Sequence, residues 1–245
     1  MQKVMIIVPV WNGAKFIERT LDSLVAQTYK NLSIVVLDNV SEDNTVELVR
    51  KYLGNKYPVK LIQNEINVGR VGNWNKALEV FKASDTDFCK LVFAGDTIAP
   101  DCIEKQIEQI NSRKGLKIVN CAHSVRQTVN TSYDMVHFNI PRYLSGKEAL
   151  EVSLQKGNWF AGTTAVMLFA KEVIGDSEFD ESLLWASDWK FWAEIVGKVG
   201  IGYTCQVRAS FFMEARGGHR KYGQDSNAQK EEEQVKEYIK TLLCE

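Results

Sequence analysis

Two adjacent polar residues, Asp38 and Asn39, follow the apolar run at residues 34–37. An apolar run without polar alternation is typical of a strand that is buried on both faces in a parallel sheet. In such sheets, ligands bind just beyond the carboxyl ends of the strands. The two side chains are therefore predicted to lie where a nucleotide could be bound, although Asp38 could equally cap the turn into the next helix.

The segments around this pair alternate between strand and helix patterns. Strands are predicted at residues 4–10, 33–37, 59–63 and 88–93. Helices are predicted at residues 16–28, 43–53 and 70–81. Asp101 with Glu104 resembles a capping box that opens a fourth helix. This order over residues 1–114 predicts an α/β fold with a Rossmann-like, mostly parallel central sheet that has helices on both faces.

Beyond residue 114 the pattern changes. Longer strands are predicted at 118–125 and 165–169, and a helix is predicted to begin near the capping-box pair Ser145 and Glu148. We find no repeat or linker that would divide the sequence, so one domain is predicted over residues 1–245. Its parts are a nucleotide-binding half at 1–114, a second half at 115–215, and a flexible loop with a C-terminal amphipathic helix at 216–245.

Composition argues against several classes of protein. The formal net charge of -1 disfavours nucleic-acid binding, which normally needs a basic surface. The five cysteines are scattered and form no C-x-x-C pair, which disfavours a disulfide framework or structural zinc and favours a reducing compartment. We see neither a signal-peptide core nor an apolar run of about 20 residues, so we expect a cytoplasmic protein.

Several segments, in this order, resemble the family 2 glycosyltransferases, which have the GT-A fold. They are VMIIVPVWNGAKFIERTLDSLVAQTYKNLSIVVLDNVSEDNT, NEINVGRVGNWNKAL, KLVFAGDTIAPDCIEK and FDESLLWASDWKFW. The resemblance implies an enzyme that transfers a sugar from a nucleotide diphosphate donor, here a UDP-sugar, to an acceptor hydroxyl with inversion. It also implies Mn²⁺ or Mg²⁺ as cofactor, a smaller acceptor-side and catalytic part in the second half, and a glycan or lipid-linked glycan as acceptor.

The resemblance assigns a set of residues to nucleotide binding. They are Pro9, Trp11, Asn12, Asp38, Asn39, Asn67, Gly69, Arg70 and Asn75. Trp11 would supply a flat face near the nucleoside. The Asn39 amide could accept a hydrogen bond from uracil N3–H and donate one to a uracil carbonyl. Gly69 would let the backbone approach the base or ribose closely.

Asp96 matches the metal-binding motif of the family, which usually has two or three acidic residues after an apolar strand. The segment from Phe93 to Thr97 holds a single carboxylate. One carboxylate can hold Mg²⁺ when the donor phosphates and waters complete its octahedron. The structural alternative is a turn residue before Pro100.

Asp188 matches the catalytic base of the family. Four aromatic residues lie close to Asp188 in the sequence, namely Trp185, Trp189, Phe191 and Trp192. If these rings surround the carboxyl group, desolvation should raise its pKa and make it a better proton acceptor. The alternative is an acidic residue that only stabilises the start of a helix.

Two loops complete the predicted site. Arg216 and His219 lie in a basic, glycine-flanked segment that could close as a lid over the donor diphosphate or could remain a surface loop. Asn158, Trp159 and Gly162 resemble the family's loop near the donor sugar and acceptor, with a plain turn as the alternative.

The resemblance implies a glycosyltransferase of bacterial surface polysaccharide synthesis, with peripheral contact at the cytoplasmic face of the inner membrane as one option. A catalytically impaired nucleotide-sugar-binding protein of the same fold is one alternative, because the acidic motif is depleted. A nucleotidyltransferase is another, but it would normally carry a glycine-rich basic loop after the first strand. Residues 11–16 hold one glycine and one lysine, which disfavours it.

Overall fold

The computed structural model describes residues 1–54, 56–127, 131–158, 164–213 and 226–244 of the 245-residue chain. Its strands are β1 (Val4–Val10), β2 (Leu32–Asp38), β3 (Val59–Gln63), β4 (Phe88–Leu91), β5 (Thr97–Ile98), β6 (Ile118–Arg126), β7 (Ser132–Met135), β8 (Tyr143–Leu144), β9 (Leu168–Ala170) and β10 (Ile201–Phe212). Its helices are α1 (Ile17–Val25), α2 (Thr45–Arg50), α3 (Gly69–Lys82), α4 (Cys102–Asn111), α5 (Gly146–Lys156), α6 (Ser187–Val199) and α7 (Ser226–Leu242).

These strands form one sheet with the order β3-β2-β1-β4-β9-β6-β10-β5, while β7 pairs with β6 and β8 pairs with β10. Strands β1 to β4 run parallel to one another, and β9 is antiparallel to both β4 and β6. The predicted α/β fold is confirmed. The loops after β1, β2 and β4 therefore meet on one side of the sheet, which we call the carboxyl edge.

Strand β1 shows why the sheet forms in this way. Every residue of β1 is buried, as expected for a parallel strand that is covered on both faces. Pro9 lacks an N–H donor, yet it is tolerated because the pairing of β1 with β4 ends at Ile7 and Leu91. Pro9 pairs only with Leu37 of β2.

The prediction of a strand at residues 165–169 is largely wrong. A 3-10 turn occupies Thr164–Val166, and β9 begins only at Leu168. The buried Lys90 Nζ donates to the carbonyls of Ala165 and Met167 at 2.5 and 3.0 Å. The Lys90 side chain thus binds carbonyl groups that would otherwise pair with a neighbouring strand. The hydrogen-bonded pairing of β9 therefore begins further along the chain.

One predicted capping box is confirmed and the other is wrong. Ser145 and Glu148 cap α5 reciprocally. Asp101 precedes α4 but makes no side-chain cap, because both of its carboxylate oxygens accept hydrogen bonds from the Arg208 guanidinium at 2.6 Å. Glu104 accepts instead from the Thr28 hydroxyl at 2.7 Å.

The C-terminal helix α7 packs on the rest of the protein. Val235 and Ile239 on one face of α7 are buried in the core, and α7 contacts α6. Among the helices of the described residues, none is both long enough and apolar enough to cross a membrane.

His123 in β6 links burial to pH-dependent stability. Its side chain is 8% exposed, and this burial lowers its pKa to about 4. Nearby His137 also lowers the pKa, while Asp134 raises it. A histidine with a depressed pKa in the folded state stabilises the fold above its unfolded-state pKa of about 6.5, and this contribution is lost as the pH falls towards 4.

Between pH 7 and pH 4, the wild-type free energy of unfolding should therefore fall by about 2–3 kcal/mol more than that of His123→Gln, which cannot titrate there. Urea denaturation at a series of pH values measures the difference. Parallel curves for the two proteins would contradict the assignment.

Candidate active site

The loops after β1 and β2 are joined by hydrogen bonds at the carboxyl edge. The Asn39 backbone N–H donates to the Val10 carbonyl at 2.8 Å. The Asn12 backbone N–H donates to the Ser41 hydroxyl, also at 2.8 Å, and the Asn12 side-chain oxygen accepts from the Glu42 N–H. The two loops therefore act as one structural unit.

Trp11 and Val40 lie within these joined loops and are unusually exposed for apolar residues. Trp11 is 55% exposed and Val40 is 38% exposed. Val40 adopts a φ of 62°, which is an outlier for a β-branched residue. Strained backbone of this kind clusters at functional sites. The sequence predicts a role for Trp11, whereas for Val40 its only signal is a β-branched residue inside a polar turn.

The Asn39 side chain is buried, with 2% exposure, and its hydrogen-bonding capacity is used inside the protein. Its Nδ2 donates to Asn67 Oδ1 at 2.8 Å and to the Gly69 carbonyl at 3.1 Å. Its Oδ1 accepts from Asn64 Nδ2 at 2.8 Å and from the Val68 N–H at 3.1 Å. These bonds account for both donors and both lone pairs of the amide. Asn39 therefore links the end of β2 to the start of α3.

Asp38 and Gly69 have conformational roles at this edge. Asp38 is fully buried, and its Oδ2 accepts from the Ser41 N–H at 3.2 Å and from Gln63 Nε2 at 3.3 Å. This geometry agrees with the turn-capping alternative. Gly69 opens α3 with a φ of 78°, a conformation that favours glycine.

Asp96 follows β4 and is fully buried. The Thr20 hydroxyl of α1 fixes this turn, because it accepts from the Gly95 N–H at 2.8 Å and donates to the Asp96 carbonyl at 2.9 Å. The described residues include no group of three or more His, Cys, Asp or Glu side chains that could hold a metal ion. A lone carboxylate fits a Mg²⁺ or Mn²⁺ ion that arrives with phosphate oxygens, and does not fit a preformed protein cage.

Aromatic rings and Arg70 connect the carboxyl edge to the turn before α6. Phe93 stacks on Trp74 with a centroid distance of 4.8 Å. The exposed Arg70 places its guanidinium 5.4 Å from the Trp74 ring and 5.7 Å from the Trp185 ring. Trp185 comes three residues before Asp188, so the structure brings both candidate functional regions to the same side of the sheet.

The Asn75 amide, which is predicted to lie near the nucleotide, makes hydrogen bonds within the protein. Its amide oxygen accepts from the Phe179 N–H at 2.8 Å, and its Nδ2 donates to the Phe179 carbonyl at 3.0 Å. Nδ2 also donates to Glu181 at 3.1 Å. Asn75 therefore ties α3 to the segment that leads into α6.

Asp188 lies in the first turn of α6, is half-buried, and accepts a hydrogen bond from the Trp189 N–H at 2.7 Å. It lines a cavity of about 230 Å³ together with Trp185 and Asn158. The Asn158 Oδ1 atom is buried and has no hydrogen-bond partner within the described part of the chain. An unsatisfied buried acceptor beside a carboxylate is suited to bind a hydroxyl group.

Only part of the predicted aromatic cluster surrounds Asp188. Trp189 joins Trp185 in the cavity wall. Phe191 stacks on Phe179 at 4.0 Å, and Trp192 is fully buried in the core. Larger cavities of about 390, 520 and 780 Å³ hold none of the predicted site residues. The predicted residues Trp159, Gly162, Arg216 and His219 lie outside the described residues.

The chain is similar in sequence to known glycosyltransferases. An uncharacterized glycosyltransferase of Rickettsia typhi is 30% identical over 211 residues, which cover 83% of this chain and 62% of that protein. The chain spans about three fifths of the length of the first curated relatives that it matches.

Solved structures share the fold. Staphylococcus aureus TarS 1-349 in complex with UDP-GlcNAc matches with a TM-score of 0.70 and 21% identity, over 86% of this chain and 58% of that chain. The mannosyltransferase PcManGT of Pyrobaculum calidifontis, in complex with GDP-Man and Mn²⁺, matches with a TM-score of 0.67 and 19% identity, over 90% of this chain and 60% of that chain. The family model described as glycosyl transferase family 2 matches residues 5–176. The chain belongs to glycosyl transferase family 2 and has the GT-A type of fold.

Proposed function

We propose that this chain transfers a sugar from a nucleotide diphosphate donor, a UDP-sugar in the first instance, to an acceptor hydroxyl with inversion. The observation that carries the proposal is the contact of Arg70 with both Trp74 and Trp185. This contact joins the carboxyl edge, which is suited to bind a nucleotide, to the cavity beside Asp188, which is suited to bind a hydroxyl group. Structural neighbours crystallised with UDP-GlcNAc and with GDP-Man support a nucleotide-sugar donor.

The proposed acceptor is a glycan or lipid-linked glycan of a bacterial surface polysaccharide, used at the cytoplasmic face of the inner membrane. The cavity of about 230 Å³ is smaller than pockets that enclose drug-sized ligands. It would therefore hold about one sugar ring, and the rest of the acceptor would extend into solvent.

In the proposed reaction, Asp188 takes the proton from the acceptor hydroxyl. The hydroxyl oxygen forms a bond to the anomeric carbon while the bond from that carbon to the diphosphate oxygen breaks on the opposite face, which inverts the centre. The Trp189 N–H holds the Asp188 carboxylate, and Asn158 Oδ1 would accept a hydrogen bond from another acceptor hydroxyl. A base in place at the attacking oxygen typically contributes 10²–10⁴-fold.

Asp96 would hold Mn²⁺ or Mg²⁺ together with the donor phosphates. When bound, the ion supplies positive charge against the diphosphate that leaves. Arg70 adds a side-chain cation on the same edge, and Arg216 with His219 is proposed to close over the diphosphate as a lid. If Asp96 cannot hold the ion and turnover of the donor is absent, a nucleotide-sugar-binding protein with impaired catalysis becomes the better candidate.

Replacing Asp188 tests the base. Asp188→Asn should lower kcat for donor hydrolysis, with water as acceptor, by 10²–10⁴-fold, because the amide cannot accept the proton. The dissociation constant for UDP should stay the same, since the carboxyl edge is unchanged. The assay follows release of the nucleoside diphosphate from a panel of UDP-, GDP- and dTDP-sugars. The exposed Asp176→Asn is the matched control, and near-normal turnover of Asp188→Asn would remove Asp188 from this role.

The metal proposal makes a prediction for calorimetry. Mn²⁺ alone should give no binding heat with the protein, because one carboxylate is too few ligands, whereas UDP should bind more tightly with Mn²⁺ than with EDTA. Asp96→Asn should abolish the difference, and loss of the ion should cost on the order of 3 kcal/mol in transition-state stabilisation. Equal UDP affinity and equal turnover in EDTA would show that catalysis needs no metal.

A further prediction separates the two interpretations of Asn39. In Asn39→Asp, a carboxylate oxygen replaces the amide nitrogen that donates to Asn67 Oδ1 and to the Gly69 carbonyl. Both hydrogen bonds are lost, and a negative charge then faces these two acceptor oxygens. We expect a loss of about 1–3 kcal/mol in the free energy of unfolding, and weaker binding of UDP, GDP and ADP alike. Urea denaturation and calorimetry measure these effects, with the exposed Asn139→Asp as control. Unchanged stability with a selective loss of UDP would instead mean that Asn39 contacts uracil.

A further inference from the structure

A carboxylate from the C-terminal helix binds the turn that precedes the candidate base. Glu231 of α7 accepts hydrogen bonds from three successive backbone N–H groups. Its Oε1 accepts from Leu184 at 3.0 Å, and its Oε2 accepts from Trp185 at 2.6 Å and from Ala186 at 3.0 Å. These residues stand directly before α6, which carries Asp188 in its first turn.

The start of α6 needs such a partner. The residue at its N-cap, Ala186, makes no side-chain cap, and the N–H groups at a helix start have no partner within the helix. Bonds from N–H groups to an ionised carboxylate are stronger than bonds between neutral groups, and negative charge is favourable at a helix start. Glu231 supplies a charged acceptor to the N–H of the N-cap residue Ala186 from a position 45 residues further along the chain, and its other two bonds hold the N–H groups of Leu184 and Trp185 in the preceding turn.

The position of Glu231 relative to α6 is fixed by packing. One turn further along α7, Val235 is buried in the core, and Ile239 follows it. Lys190 of α6 lies 5.1 Å from the Tyr238 ring of α7. The next residue of α7, Glu232, lines the same cavity as Asp188. Because α7 is held along its length, Glu231 can hold the turn in one conformation.

We propose that Glu231 is a positioning residue, which holds the turn of Leu184, Trp185 and Ala186 so that Asp188 faces the acceptor. This inference rests on the proposed function, since it gives Glu231 a role only through Asp188. Helix α7 lies beyond residues 5–176, where the family pattern matches.

The substitution Glu231→Gln tests the proposal with little change in volume. A glutamine amide keeps one acceptor oxygen and turns an NH₂ group towards the remaining N–H donors, so at least one backbone N–H loses its partner. Glu237→Gln is the matched control on the same helix, because Glu237 is exposed and pairs only with Lys240 among the described residues. Glu231→Asp tests rescue, since it keeps the charge but has a shorter reach.

Three measurements are made on each variant. Hydrogen exchange should be faster at the amides of residues 184–186 in Glu231→Gln and unchanged in Glu237→Gln. The kcat for donor hydrolysis should fall at least tenfold in Glu231→Gln, while the donor KM and the dissociation constant for UDP stay within twofold. Glu231→Asp should recover part of the lost kcat.

Unchanged exchange, or unchanged kcat despite faster exchange, would overturn the inference. Loss of UDP binding in proportion to kcat would also overturn it, because that result indicates general unfolding. Asp188→Asn, measured beside these variants, separates this inference from the proposed function. Full turnover in Asp188→Asn rejects the base itself, whereas an inactive Asp188→Asn beside a fully active Glu231→Gln rejects only the positioning role.

Discussion

Contacts made by helix α3 hold the two parts of the candidate site together. The pairing of parallel strands places the loops after β1, β2 and β4 at one edge, because these strands are hydrogen-bonded neighbours. The same pairing does not fix the turn before α6, which lies almost a hundred residues further along the chain. Asn75 binds both backbone groups of Phe179, and Arg70 lies near the Trp185 ring. Both residues belong to α3, which begins at the carboxyl edge.

Each of these polar contacts is weak when taken alone. A hydrogen bond contributes about 1 kcal/mol, and an exposed cation–π contact contributes about 0.5–1 kcal/mol. The burial of Phe179 and Phe191, whose rings stack at 4.0 Å, contributes about 1.5–3 kcal/mol for each side chain. Apolar burial therefore holds α6 close to α3, and the polar contacts select the orientation that brings Trp185 to Arg70.

Features that depend on residues close together in the sequence could be predicted. Contacts between residues far apart in the sequence could not. The four strands predicted within residues 1–114 and the Ser145 capping box depend on local patterns, and both are confirmed, although β4 ends at Leu91 and the short β5 is not predicted. Asp101 has the residue type of a cap, but Arg208 outcompetes the helix for its carboxylate. Asn39 has the residue type of a base-binding group, yet its partners come from a loop 25 to 30 residues away. Glu231 gave no signal at all, because nothing in an acidic run of residues marks the carboxylate that binds the turn before α6.

The proposed donor and acceptor sites lie on different segments of this chain. Residues 5–176, where the family pattern matches, include the carboxyl edge and Asp96, whereas Asp188 and α7 lie beyond them. The wall of the Asp188 cavity comes from residues at the end of α5, the start of α6 and α7. Substitutions in α7 can therefore reshape this cavity without altering the loops after β1 and β2. If the proposed roles are correct, changes in α7 would alter the acceptor site and leave the proposed nucleotide site intact, as long as Glu231 keeps its hydrogen bonds to the turn before α6.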